Sequence, residues 1–313
     1  MDDKNAGKFA QAVDFLHPRI AEALLRLDAA QQRDAREIRL RAGRPVQVVS
    51  AQGACPVAHG ALMVTQKELQ DSFARLCAYS VHSHTEGIAR GFVTTQGGHR
   101  AGLCGTAVVE GGLVVGLREL SSINLRIAGE YPGCARGLFQ RFFAQGLCSL
   151  LIAGAPGSGK TTLLRDLARW LSADGTRVVV LDERGEIAAA YRGVPQNDIG
   201  AADVLTGYPK GAGLQIALRS LNPQVILCDE IGDGAEVAAL QEGLHAGVHC
   251  IATAHAADAE DLRRRPQLRT LQSSGAFDHT VLLRGVGGGF AEVPRAPQGR
   301  ILTADAAQEG CVA

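Results

Sequence analysis

The sequence predicts an α/β protein in two parts: a C-terminal domain built on a largely parallel sheet, preceded by a smaller α+β domain. Three observations carry this reading. Between residues 146 and 285 the apolar runs SLLIAG, RVVVLD, QVILCDE and HCIATAH alternate with helical patterns, as strands do in a parallel sheet covered on both faces. A Gly-rich turn, GAPGSGKTT, follows the first run and opens a helix. Over residues 1–131, apolar positions instead alternate through two hairpin patterns set among amphipathic helices. A chain of 313 residues is also long for a single core.

In chain order, FAQAVDFLHPRIAEALLRL has helical spacing interrupted at Pro18, so a helix with a break is expected. EIRLRAGRPVQVV alternates at Ile38 and Leu40, turns through Gly43 to Pro45 and resumes at Val46 and Val48, a hairpin. TQKELQDSFARLCAYSVHSH opens a helix with Thr65 as N-cap and Glu68 three residues later. RAGLCGTAVV, the turn EGG and LVVGLREL form a second hairpin. Pro132 and Gly133 mark a linker over 132–145 that includes the short helix ARGLFQRFFAQG. The C-terminal domain then runs SLLIAG, the Gly-rich loop, the helix KTTLLRDLARWLSADG, RVVVLD and a loop-rich stretch. GLQIALRSLNP, QVILCDE, a helix from about residue 234 and HCIATAH follow. Residues 286–313 are rich in Gly and Pro and are expected to be a loosely ordered tail.

Composition excludes several function classes. With 32 basic and 32 acidic residues the net charge is zero, so nothing pulls the chain globally toward nucleic acid or anionic membrane. Aromatic residues are 4% of the chain and no basic stripe is interleaved with them, which argues against a nucleic-acid groove. DLRRRP, residues 261–266, reads as a solvated helix end. The eight cysteines form no C-x-x-C pair, so neither a zinc knuckle nor a redox motif is suggested. No apolar run reaches signal-peptide or membrane-span length. A cytoplasmic protein is expected, with no direct membrane insertion; any association with a membrane would come through partners.

GAPGSGKTT satisfies G-x-x-x-x-G-K-[ST] with Gly154, Gly159, Lys160 and Thr161. The chemistry needs this spacing: successive backbone N–H groups wrap a phosphate only where Cβ atoms do not crowd the turn. Gly154, Ala155, Pro156, Gly157, Ser158, Gly159, Lys160, Thr161 and Thr162 are the expected phosphate cradle. Lys160, one of only five lysines, would reach the β- and γ-phosphates, and Thr161 would hold Mg²⁺. QVILCDE delivers Asp229 to the metal and Glu230 to the attacking water, the alternative being an acid pair that caps a neighbouring helix. ATP hydrolysis with Mg²⁺ is the base reading. A second acidic strand end, VLDERGE, carries Asp182, Glu183 and Glu186. HCIATAH starts at His249 and ends at Thr253 and His255. Singly, these could be a loop ion-pair cluster and ordinary core histidines. In a parallel sheet, however, all these strand ends face one crevice.

The order P-loop, acidic box, LRSLNPQVILCDEIGD, ATAH resembles the type II and type IV secretion ATPases, hexameric RecA-like P-loop motors with an Asp box and a His box. Within that superfamily the likeness is greatest to its sporulation branch, through HRAGLCGTAV, LRELSSINLRIA, LDERGEIA, ALRSLNPQVILCDEIG, ATAHA and GAFDHTVLLRG. The resemblance implies a RecA-like P-loop NTPase domain. Asp182, Glu183 and Glu186 would form the Asp box, with Glu183 favoured on the γ-phosphate side and Glu186 next. Glu230 would be the Walker B glutamate, His255 the His-box residue and Arg219 the arginine preceding the Walker B strand. Arg100 and Arg126 would reach nucleotide across a subunit or domain boundary, a task suited to the guanidinium fork; the alternative for them and for Arg118 is surface pairing on strands. Three departures stand out. Asp229-Glu230 replaces the common Gly-Glu, in agreement with the sporulation branch. Position 232 is Gly where Arg is frequent, and the four-cysteine zinc insert is missing. The implied function is a homo-oligomeric, hexameric motor ATPase that energises or assembles a membrane-associated export channel with proteins of the sporulation apparatus. A nucleotide-dependent structural switch and a RecA-like nucleic-acid motor are the alternatives.

Overall fold

Strands β1 (Glu37–Arg41), β2 (Gln47–Ser50), β3 (Gly53–Pro56), β4 (Phe92–Thr94), β5 (Arg100–Glu110) and β6 (Leu113–Arg126) make one antiparallel sheet in the order β3-β2-β1-β6-β5-β4. This is a computed structural model, and it describes residues 3–57, 61–231, 247–266, 269, 275–285 and 289–293. The two predicted hairpins are present, and they fuse. β6 is long enough to pair with β5 and, through Ser122–Arg126, also with β1. The short strands β3 and β4, which lack a run of alternating residues long enough to read, close the two edges.

Helices α1 (Asp3–Val13) and α2 (Pro18–Leu25) break where Pro18 takes the first helical position, and the His17 side chain accepts from Arg19 N–H. Helix α3 (Ala29–Asp34) follows, and α4 (Gln66–Leu76) starts with the predicted capping box of Thr65 and Glu68. Phe9, Leu16, Ile20, Leu24 and Leu69 from these helices meet Ile38, Leu40, Ile123 and Leu125 of the sheet in one core. Helices α5 (Thr85–Ala89) and α6 (Arg136–Phe142) lead to the second sheet.

That sheet joins β7 (Leu150–Gly154), β8 (Val178–Asp182), β9 (Asp203–Thr206), β10 (Val225–Cys228), β11 (His249–His255), β12 (His279–Leu283) and β13 (Phe290–Glu292) in the order β13-β12-β7-β11-β10-β8-β9. All pairings are parallel except β12–β13. Strand alternation sends Leu150, Ile152, Val178, Val180, Val225, Leu227 and Ile251 to one face. Leu151, Ala153, Val179, Leu181, Ile226, Cys228, Cys250 and Ala252 go to the other. Both faces are covered, which is why the sequence shows continuous apolar runs here. Each fully buried Val, Leu or Ile contributes about 1.5–3 kcal/mol.

Helix α7 (Lys160–Ala173) packs Leu164, Leu167, Ala168 and Leu171 on the first face. Helix α8 (Lys210–Ile216) continues as a π-turn, Ala217–Leu221, and stops at Asn222 in the left-handed region, φ +46°. Helix α9 (Ala259–Arg264) carries the basic cluster as a solvated helix end. Phe290–Glu292 fall in the segment expected to be a loose tail, yet they form an edge strand because Val281–Leu283 offer them an antiparallel ladder. The helix expected from about residue 234 lies outside the described residues, as does Gly232. Among the described residues no helix is long and apolar enough to cross a membrane.

The two sheets are tied by polar contacts. Lys8 Nζ donates to Gly97 O and Gln196 O, and Gly97 N–H donates to Gln196 Oε1. At Gly98, φ +81°, a Cβ would come within 2.9 Å of Ala189 Cβ, so only glycine lets the two parts approach this closely.

Candidate active site

The parallel sheet aligns its carboxyl ends: His255 is opposite Gly154, Cys228 opposite Ala252, and Leu181 opposite Cys228. The residues that follow therefore emerge side by side, into a cleft of 1120 Å³. Its other wall is a row across five strands of the first sheet, Val49–Glu37–Arg126–Arg100–Thr94, each paired with the next.

The turn after β7 has the shape of an anion cradle. Gly157 and Gly159 have φ +73° and +95°, which L side chains rarely adopt. A Cβ on Gly154 would lie 2.5 Å from Ser158 Oγ. That hydroxyl is buried, lines the cleft and has no protein partner. Lys160 is buried at the start of α7, and its Nζ donates to Gly154 O at 2.8 Å and Ala155 O at 2.9 Å. Burial lowers its pKa, opposed by the charges of Asp229 and Glu230.

Thr161 Oγ1 donates to Asp229 Oδ2 at 3.1 Å. Asp229 Oδ1 accepts from Thr253 Oγ1 at 2.6 Å and from Glu230 N–H at 3.0 Å, and Thr253 Oγ1 also accepts from Glu230 N–H at 2.9 Å. These contacts hold Glu230 at φ +33°, a conformation strained for a residue with a Cβ. Lys160 Nζ lies 3.2 Å from His255 Nδ1, and His255 Nε2 lies 3.4 Å from Glu230 Oε1. An ammonium can only donate, so Nδ1 accepts; the proton then sits on Nε2 and points at the carboxylate. Among the described residues no cluster of three or more His, Cys, Asp or Glu side chains could hold a metal alone. The Thr161–Asp229 oxygen pair does fit Mg²⁺, which is commonly held by one or two carboxylates together with substrate phosphates. The cradle and the orphaned Ser158 hydroxyl likewise fit a phosphate chain.

The acids after β8 separate. Asp182, 1% exposed, turns inward and accepts from the N–H groups of Glu186, Ile187 and Ala188 at 2.8, 3.1 and 2.8 Å. Burial raises its pKa against the pull of those bonds. Glu183, the favoured Asp-box acid, does not line the cleft. Its carboxylate faces Lys210 Nζ at 3.8 Å from the turn that follows β8. Glu186 lines the cleft and pairs with Arg100 at 2.9 Å, whose guanidinium lies 3.7 Å above the Phe92 ring.

Arg126 also lines the cleft; Arg118 and Arg219 do not, the first on the exposed part of β6, the second exposed on the π-turn after α8. His249 begins β11, at the end of the sheet away from the cleft. Sequence reasoning missed two residues here. Arg184 donates to Glu230 Oε2 at 3.0 Å. Arg165 donates to the carbonyls of Ile187, Gly129 and Glu186 at 2.9, 3.0 and 3.1 Å, fixing the acidic loop to α7 and to the segment after β6. The signal for Arg184 was its position inside the acidic box; Arg165 looks like any polar position on a helix.

Among known proteins, stage III sporulation protein AA of Bacillus subtilis (strain 168) is 36% identical over 309 residues, covering 96% of this chain and 99% of that protein. The X-ray structure of the Yersinia pseudotuberculosis ATPase DotB superposes with a TM-score of 0.53 at 15% identity, over 84% of this chain and 74% of that one. The pilus retraction motor PilT with bound ADP gives 0.50 at 17% identity, over 82% and 77%. The two structural likenesses show that this chain shares the fold of those two proteins. The family described as sporulation stage III, protein AA matches residues 8–293, and the chain belongs to that family.

Proposed function

We propose that the cleft binds ATP with Mg²⁺ and hydrolyses it. On this reading the chain works as a secretion-type motor ATPase that assembles as a homo-oligomer, a hexamer, and energises or assembles a membrane-associated export channel during sporulation. The Thr161–Asp229 hydrogen bond beside Lys160 carries the reading, because it joins the two elements that a phosphate-bound Mg²⁺ requires. Thr161 and Asp229 would hold the ion, which when bound neutralises charge on the phosphates. Residues 154–162 cradle the phosphate chain through the backbone N–H groups they have, Pro156 having none, and Lys160 moves from the Gly154 and Ala155 carbonyls to phosphate oxygen.

Glu230 orients and deprotonates the attacking water. His255 holds its Nε2–H toward Glu230 and links that carboxylate to Lys160. Glu186 and Arg100 bring the first sheet to the γ-phosphate side, and Arg126 adds charge beside them. The names of the relatives support the sporulation and motor parts of the reading: a stage III sporulation protein, an ATPase and a pilus retraction motor.

Two measurements test the proposal. Lys160→Ala is expected to abolish nucleotide binding in an equilibrium titration while the thermal transition stays within a few degrees. Size-exclusion with light scattering, with and without a non-hydrolysable ATP analogue, is expected to give a closed oligomer whose formation raises turnover per molecule. Turnover independent of protein concentration would count against an assembled motor and for a nucleotide-dependent switch.

A further inference from the structure

Glu230 is more heavily engaged than a free general base. Its Oε2 accepts from Arg184 Nη1 at 3.0 Å, and its Oε1 faces His255 Nε2 at 3.4 Å. Its N–H is fixed by Asp229 and Thr253, and its carbonyl accepts from Lys210 Nζ. The backbone therefore cannot carry the carboxylate away, and only the two side-chain contacts can change. Of these, the one to Arg184 is the easier to exchange. The Arg184 side chain is 66% exposed, its ion pair with Glu230 is weakened by water, and it comes from a different loop, 46 residues earlier in the chain.

Arg184 also has a defined place in the box. Glu183 before it turns to Lys210 and Glu186 after it turns to Arg100, with Gly185 at φ +67° making the turn between them. Only Arg184 of this loop reaches Glu230 among the described contacts, and it lines the same cleft wall as Lys160, Thr161 and Asp229. A guanidinium prefers the planar, bidentate grip offered by phosphoryl oxygens, and a γ-phosphoryl group brings more charge than one carboxylate.

We propose that Arg184 is a specificity-determining residue that tells nucleoside triphosphate from diphosphate, an inference that rests on the ATPase reading above. A γ-phosphoryl group draws the guanidinium off Glu230, and the exchange frees Oε2 for the attacking water. A diphosphate supplies no acceptor at that place, so Arg184 stays on Glu230 and the base stays paired. The carboxylate becomes active only when the group to be hydrolysed has arrived.

The test uses the full chain with Mg²⁺ and compares wild type, Arg184→Ala and Arg184→Lys for binding of ADP and of a non-hydrolysable ATP analogue, together with steady-state turnover. Arg184→Ala is expected to weaken the triphosphate analogue by about 10- to 100-fold, the range for a charge-assisted hydrogen bond. ADP affinity should stay within about twofold, kcat should fall, and Arg184→Lys should recover part of the triphosphate preference. Equal weakening of both nucleotides, or an unchanged preference with faster turnover, would overturn the proposal. If wild type binds neither nucleotide, the ATPase reading falls with it. If wild type prefers the triphosphate and Arg184→Ala keeps that preference, only the role of Arg184 falls. Arg184 is exposed and the Ala variant should melt as wild type does; if it does not, Arg184→Lys, which keeps the charge but not the fork, decides on the same ratio.

Discussion

Two neighbouring strands of the parallel sheet end in the same way and do different work. The chain reads VLDE where β8 ends and LCDE where β10 ends, and the two strands are paired in register up to Leu181 and Cys228. Yet Asp182 is buried under its own loop, with three backbone N–H groups on its carboxylate, while Asp229 takes hydroxyls from Thr161 and Thr253. The chain leaving β8 curls back, so the N–H groups of residues 186–188 close on Asp182. The chain leaving β10 is held outward, with Ile231 N–H on Thr253 O at 2.9 Å. One acid builds a loop and the other faces the phosphate cradle. Strand ends that look alike in sequence are thus sorted by how the chain leaves the strand.

The largest expected difference lies between the glutamates that follow. Glu230→Gln should keep nucleotide binding and lose turnover by about 10²–10⁴-fold, the usual worth of a general base. Glu183→Gln, whose partner is Lys210 outside the cleft, should change turnover by no more than a few-fold. Phosphate release measured on both variants decides it, and a large loss in Glu183→Gln would put that residue back in the chemistry.

The aspartates should separate in the opposite sense. Asp182→Ala leaves three loop N–H groups without an acceptor and should cost about 3 kcal/mol of stability. Asp229→Ala should cost less, about 1–2 kcal/mol, since Thr161 can turn toward the cleft and Glu230 N–H keeps Thr253 Oγ1, which leaves only the buried Thr253 hydroxyl without its acceptor; it should lose Mg²⁺-dependent turnover. Urea unfolding and phosphate release on the same two proteins read both halves of the comparison.

Much of this was legible in the sequence. Both hairpins, the capping box at Thr65, the Gly-rich turn and the four apolar strands follow from local pattern, because alternation, helical spacing and glycine placement act over a few residues. The fusion of the hairpins into one sheet was not, since the pairing of β1 with β6 joins residues about 85 apart in sequence without a local signal. Lys160, Thr161, Asp229, Glu230 and His255 meet as expected because parallel strands deliver them from one end. Glu183 lies off the cleft because the turn after β8 carries its side chain to Lys210, which local pattern does not report. Arg100 and Arg126 reach the cleft from the other sheet of the same chain, which local pattern does not report.

The finest test of the comparison is the pH dependence that Asp182 should carry. Two forces oppose each other on its carboxylate: burial favours the neutral acid, and three N–H donors favour the anion. Burial prevails, so the pKa in the folded protein is raised above the ordinary value of 3.8. Between 3.8 and that raised value the folded state binds more protons than the unfolded state, so stability declines as pH rises through the window and is flat above it. This is the reverse of the usual carboxylate contribution to acid unfolding. Asp182→Asn removes the titration while keeping an acceptor on the loop, so the stability of wild type minus that of this variant should increase as pH falls through the window. Urea midpoints measured in steps from pH 7 to the acid limit give that difference directly. A difference that falls toward acid would mean that the three N–H groups outweigh burial on the Asp182 carboxylate.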